Sequence, residues 1–158
     1  MSSYLRLALM VATSVVLMYG ITYMQSAEIF DHAYLSESRA FVSLMMGAVM
    51  TVVMLLWMPG MYSNRSANIA IILGCAVAFG GLLYLMRSQD TVGDVAWMRA
   101  MIPHHSIAIL TSGNAELSDP RVQDLAQEII DAQVREIDEM KALIADLTGA
   151  PSQTAAVQ

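Results

Sequence analysis

Three stretches of this chain carry no charged side chain: 7–27, 40–64 and 66–86. Each holds at least 20 residues, about what a helix needs to cross the hydrocarbon core of a bilayer. No water reaches the backbone there, so the chain must satisfy its own N–H and C=O groups, and helix does so. Membrane spans are therefore expected near 5–24, 41–58 and 67–86. A buried soluble helix is the competing reading of the third stretch. It fails because too little polar chain remains to enclose three such helices. Composition agrees: 56% of residues are hydrophobic and 14% charged, where soluble domains carry roughly 25% charge. The apolar excess excludes disorder, and the single Cys75 excludes a disulfide framework.

The charges divide the chain in two. Residues 1–86 hold three basic and three acidic groups; residues 87–158 hold five basic and eleven acidic, which is the whole net charge of −6. Nucleic acid is not an expected partner of so acidic a chain. A membrane domain over 1–88 and a water-facing domain over 89–149 are expected, with a disordered tail at 150–158. The first span reads as an uncleaved anchor. Its basic region is Arg6 alone, and Gln25-Ser26-Ala27 is a poor cleavage site. Ile72-Leu73-Gly74-Cys75 resembles a lipoprotein box but lies inside the third span. Ala70, Gly74 and Ala78 recur at every fourth residue, and small residues at that spacing predict a packing face on the third span. Arg6 and Arg65 flank one side of the spans, Arg39 and Arg87 the other, so the positive-inside count is a tie. With three spans, the 25–39 loop and the C-terminal domain must still share a side, and all three histidines with them.

The water-facing half reads as two helices. Thr91 with Asp94 fits a capping box for the first, which is expected to run to about Glu116. Asp119 as N-cap and Pro120 at the first helical position restart the chain. The second helix is expected over 121–147, closed by Thr148-Gly149-Ala150-Pro151. Its apolar residues at 122, 125, 126, 129, 130, 137, 140, 143, 144 and 147 form a broad stripe. About 60 residues make a marginal core, so the stripe needs a further partner. Self-association of two hairpins into a four-helix bundle is the economical solution, as a homodimer or higher homo-oligomer.

The first of these helices carries Asp94, Met98, Met101 and His105 in steps of four, three and four, one face of a helix. His104 lies about 100° away. Pro103 removes a backbone hydrogen bond and is expected to kink the helix beside both imidazoles. On the second helix Gln133, Glu136 and Met140 share a face. Soft thioether sulfur selects Cu(I), and imidazole accepts either copper state; silver is the related soft ion. Zinc is less well served, because the lone thiol is in the third span. Against this, methionine is a normal gap-filler of helical cores, and a histidine on an apolar face is more often a core residue. Met46, Met50, Met54 and Met58 climb the second span at four-residue steps; a thioether ladder that hands Cu(I) across the membrane is one reading, and flexible apolar packing is the preferred one. His32 sits between Glu28 and Glu37; it either joins the site or is solvated in an acidic loop, and the loop reading is preferred.

Met101-Ile102-Pro103-His104-His105, with Asp94 before it, carries a resemblance. So does Leu125-Ala126-x-x-Ile129-Ile130-x-x-Gln133-x-x-Glu136-Ile137-x-x-Met140 after it. Together they resemble the domain-of-unknown-function family 305 over about residues 90–147. The resemblance implies a ferritin-like helical fold and an association with copper binding and metal resistance in bacteria. It implies Met101, His104, His105 and Met140 as ligands, supported by Asp94, Met98, Gln133 and Glu136. It also implies an inner-membrane protein with the C-terminal domain and the 25–39 loop in the periplasm. Two departures stand out. Ile109-Leu110-Thr111-Ser112 occupies the place where many members have a Met-Ala pair. The chain also holds one two-helix unit where many members hold two.

The fold expected is thus all-α: three transmembrane helices, then a two-helix ferritin-like hairpin that self-associates. The leading functional expectation is a membrane-anchored periplasmic protein that binds Cu(I), with Ag(I) as the related cargo, for storage, delivery or detoxification. It would meet lipid and a copper-handling partner protein. The first alternative is a ferritin-like metal oxidase using the histidines and Glu136. Di-iron bundles need several carboxylates with Glu-x-x-His, which is missing here. The second is a non-metal docking subunit of a membrane complex. A hydrolase is not expected, because no nucleophile is paired with a base; a metal oxidase is the runner-up to a non-enzymatic role.

Overall fold

A computed structural model describes residues 2–28 and 30–149; the expected disordered tail, 150–158, lies outside them. The described residues form five α-helices and one short 3-10 turn, with no strand among them. The helices are α1 (Ser3–Ile21), α2 (Glu37–Trp57), α3 (Arg65–Ser88), α4 (Asp94–Asn114) and α5 (Pro120–Thr148), and the 3-10 turn is Thr22–Gln25. The first three are long and apolar enough to cross a membrane.

The chain divides into two compact units. One comprises the residues up to Thr22 together with Glu37–Thr91; the other joins Tyr23–Ser36 to the chain from Val92 onward. In the first unit α2 packs against both α1 and α3. Ser2 caps α1 by accepting from Leu5 N–H, and Asn64 caps α3 by accepting from Ala67 N–H. Leu7, Leu55 and Tyr62 form its core, and the Tyr4 hydroxyl donates to Asn68 Oδ1 at 2.8 Å. The Gly74 face of α3 is not at a close helix approach. A Cβ placed on Gly74 would meet nothing within 4 Å, and no residue of α3 is buried. The expected face at Ala70, Gly74 and Ala78 is therefore corrected to Ser43, Gly47 and Thr51 on α2, all buried. A Cβ on Gly47 would lie 2.5 Å from Val15 Cγ2, so glycine is what admits α1 there. Of the methionine ladder, Met46 is exposed while Met54 and Met58 pack against the Leu7–Leu55–Tyr62 core.

In the second unit α4 starts at Asp94 with Gly93 as N-cap and no side-chain capping bond. Thr91 is thus not the cap. Its hydroxyl is occupied elsewhere, donating to Glu37 Oε2 at 3.5 Å within the first unit. α4 ends at Asn114, two residues short of expectation, and runs through Pro103 without a break. Asp119 and Pro120 start α5 as their chemistry demands: the Asp119 carboxylate accepts from Arg121 N–H at 2.9 Å. Gly149 closes α5 in the left-handed region, at φ 66°, where glycine carries no Cβ penalty. The two helices pack through Met98 and Ile102 of α4 and Ile137, Met140 and Ile144 of α5. The segment between α1 and α2 belongs to this core as well. Tyr34 packs on it, Ala27 N–H donates to Ser106 Oγ at 2.8 Å, and Lys141 pairs with Asp31.

Candidate metal centre

The helical steps that unite Met98, Met101 and His105 on α4 bring them against Met140 and Glu136 of α5. Met98 and Met140 are buried in the core, and Met101 is partly buried against it. His105 is 9% exposed and has both ring nitrogens engaged. Nδ1 donates to the Met101 carbonyl at 3.0 Å, since a carbonyl can only accept. Nε2 lies 2.8 Å from Glu136 Oε2, at hydrogen-bond distance. The carbonyl contact fixes the ring and turns Nε2 toward α5, which is the support that metal-ligating histidines ordinarily have. The Glu136 carboxylate is half exposed and occupies the position that a ligand would take.

His104 is exposed, with its ring 6.2 Å from that of His105, centroid to centroid, and near edge-on. Gln133 is half-buried one turn from Glu136. Asp94 is exposed at the far end of α4, where it lines a shallow cleft with Trp97, Met98, Leu143 and Leu147. The structure thus gathers Met98, Met101, His105, Glu136 and Met140 along one seam. His104 lies at its open edge, and Asp94 lies near the start of the helix.

His32 departs from expectation. It is 6% exposed, not solvated, and its Nδ1 lies 2.9 Å from Ser106 Oγ. Burial holds its imidazole below the usual histidine range, and the nearby Lys141 charge adds to this; Glu28, Asp31 and Asp138 pull the other way. The Lys141 hydrogen bond likewise holds Asp31 below the ordinary carboxylate range, against a smaller opposing effect of burial. Ser106 and Lys141 escaped the sequence reading. Ser106 carried a signal in hindsight: it sits one turn after the core residue Ile102, on the buried side of α4. Lys141 carried none, because its partner is 110 residues away.

The fold and site together define an all-helical chain with three membrane-length apolar helices and a hairpin seamed by imidazole and thioether groups. The family described as Domain of unknown function (DUF305) matches residues 84–157 of this chain. An uncharacterized protein of Acanthamoeba polyphaga mimivirus is 38% identical over 65 residues, 40% of this chain and 43% of that protein. The match therefore spans less than half the length of that relative. No solved structure matches the chain.

Proposed function

We propose that the protein is a membrane-anchored Cu(I)-binding protein that captures its cargo at the α4–α5 seam. The observation that carries this reading is the meeting of three thioethers, Met98, Met101 and Met140, beside a histidine whose ring is fixed by the Met101 carbonyl. Soft sulfur with imidazole is the donor set that monovalent copper or silver prefers. Cargo reaches His105 Nε2 when the half-exposed Glu136 carboxylate turns away toward water and the proton between the two groups is released to solvent, leaving a ring lone pair. His104, exposed at the edge, makes first contact, and Met101 or Met140 completes the set. Reversible capture needs no catalytic base, and it suits storage, delivery or detoxification. The oxidase alternative has less support. One carboxylate, Glu136, is hydrogen-bonded to the histidine, whereas di-iron bundles need several.

The C-terminal unit and the 23–36 segment are periplasmic in this reading, with the N-terminus inside. Self-association covers Val122, Leu125 and Ile129, which the hairpin leaves exposed. The experiment is anaerobic Cu(I) loading of the full chain in mild detergent. The double variant His104→Ala/His105→Ala is expected to lose tight binding. Met101→Leu conserves approximate volume and is expected to weaken binding while leaving the helical signal intact. Equal copper binding by the folded double-histidine variant would overturn the proposal.

A further inference from the structure

The segment joined to the second unit holds a cluster that the copper reading does not use. One carboxylate oxygen each from Glu28 and Asp31 and one ring nitrogen of His32 all lie within 4.8 Å of one another. The local chain explains the convergence. His32 N–H donates to the Glu28 carbonyl at 3.1 Å, so 28, 31 and 32 emerge from a single turn. Burial is graded in a useful way. The two carboxylates are exposed and open to water, while the imidazole behind them is 94% buried, being 6% exposed. Ser106 fixes that ring through Nδ1. Its Nε2 has no hydrogen-bond partner among the described residues. The Ser106 hydroxyl already accepts from Ala27 N–H, but it holds a second lone pair and a rotatable proton. It can therefore donate to Nδ1 or accept from it. When it accepts, the ring proton sits on Nδ1 and Nε2 presents a lone pair.

We propose that Glu28, Asp31 and His32 form a binding site for a divalent cation of the zinc class, separate from the His/Met seam. Two carboxylates and one imidazole are hard-to-borderline donors. They suit Zn2+ and leave room for water in the fourth position, and they do not suit Cu(I). Ligand atoms around Zn2+ stand roughly 3.4 Å apart at bond lengths of about 2.1 Å, so atoms within 4.8 Å of one another need to close by no more than about 1.4 Å to seat the ion. Lys141 opposes the ion through its charge, but it engages only Oδ2 of Asp31, and Oδ1 stays available. Glu28 and Asp31 together outweigh that single positive charge. Bound cation would tie the 23–36 segment more firmly to α4 through His32 and Ser106.

The test is equilibrium dialysis of the full chain in mild detergent against Zn2+, after chelator stripping, with metal analysis. Glu28→Gln is the decisive variant, because Glu28 is exposed and no hydrogen bond of its side chain to a described residue supports the fold. Wild type is expected to bind one Zn2+ that Glu28→Gln weakens at least about tenfold, the scale even of losses one shell further out. Asp31→Asn is expected to do the same, and Cu(I) loading of Glu28→Gln is expected to match wild type. Unchanged Zn2+ affinity in both variants would overturn the proposal. So would the absence of any bound Zn2+ in wild type. A failure of Cu(I) capture in wild type would count against the seam and leave the Zn2+ result standing.

Discussion

α3 and α5 are both long helices rich in aliphatic residues, and they differ in how the apolar groups are arranged. α3 is apolar all round, and none of its residues is buried. α5 confines its apolar groups to one stripe and buries Ile137, Met140 and Ile144 against α4. A uniformly apolar surface fits a solvent that is itself apolar, and a stripe fits water on one side with a core on the other. Exposure therefore means opposite things in the two units. Leu73 of α3, at 61%, suits an apolar surrounding, whereas Leu125 of α5, at 54%, lies on the stripe that the proposed self-association would cover.

The largest effect that sharpens this contrast is expected at Ile102, which is 0% exposed at the centre of the α4–α5 core. Ile102→Ala removes packed methyl groups and should cost about 2–5 kcal/mol, read as a lowered unfolding midpoint. Leu125→Ala should leave the hairpin's own packing nearly unchanged and instead loosen self-association, read by light scattering in detergent. A large loss of stability in Leu125→Ala with no change in particle mass would show that the stripe is covered within one chain.

A second contrast sets Gly47 against Gly74, both in apolar helices. Gly47→Leu must push Val15 aside and should cost about 1–3 kcal/mol, as overpacking does. Gly74→Leu meets open space and should change little. Thermal inactivation in detergent, monitored by the helical signal, compares the two. Equal effects would mean that α1 does not approach α2 as closely as described.

The readable parts of this chain were those set by local pattern. Charge-free length marked all three membrane-length helices, and Asp119, Pro120 and Gly149 marked both ends of α5. Met98, Met101 and His105 shared a face by spacing alone. What stayed hidden depends on partners distant in sequence. Two small-residue rows, 43–47–51 and 70–74–78, have the same spacing, and only the position of α1 decides which is used. The burial of His32 was equally hidden. Its neighbours Glu28, Asp31 and Glu37 suggest water, yet the ring is buried, with Ser106 of α4 at Nδ1 and Lys141 of α5 nearby.

That burial carries the smallest and most diagnostic expectation. His32 is buried, its pKa is held below the ordinary value of 6.5, and burial is the main cause. The unfolded chain then binds a proton more readily than the folded one, so stability rises with pH through this window. The contribution is complete above 6.5 and is lost as pH falls from there through the lower folded value. Asp31 acts in the same direction at more acid pH. Its folded pKa lies below 3.8 because Lys141 holds the carboxylate, so its share persists above 3.8 and fades as pH falls through the folded value. Two steps are therefore expected in the acid limb of an unfolding-midpoint profile measured on metal-free protein. His32→Gln should remove the upper step and leave the lower one, and Asp31→Asn should do the reverse. Hydrogen exchange at Ala27 should follow the upper step, because its N–H is bonded to the same hydroxyl that His32 contacts. Protection of Ala27 that is insensitive to pH across the upper step would mean that the 23–36 segment is held to α4 without the imidazole.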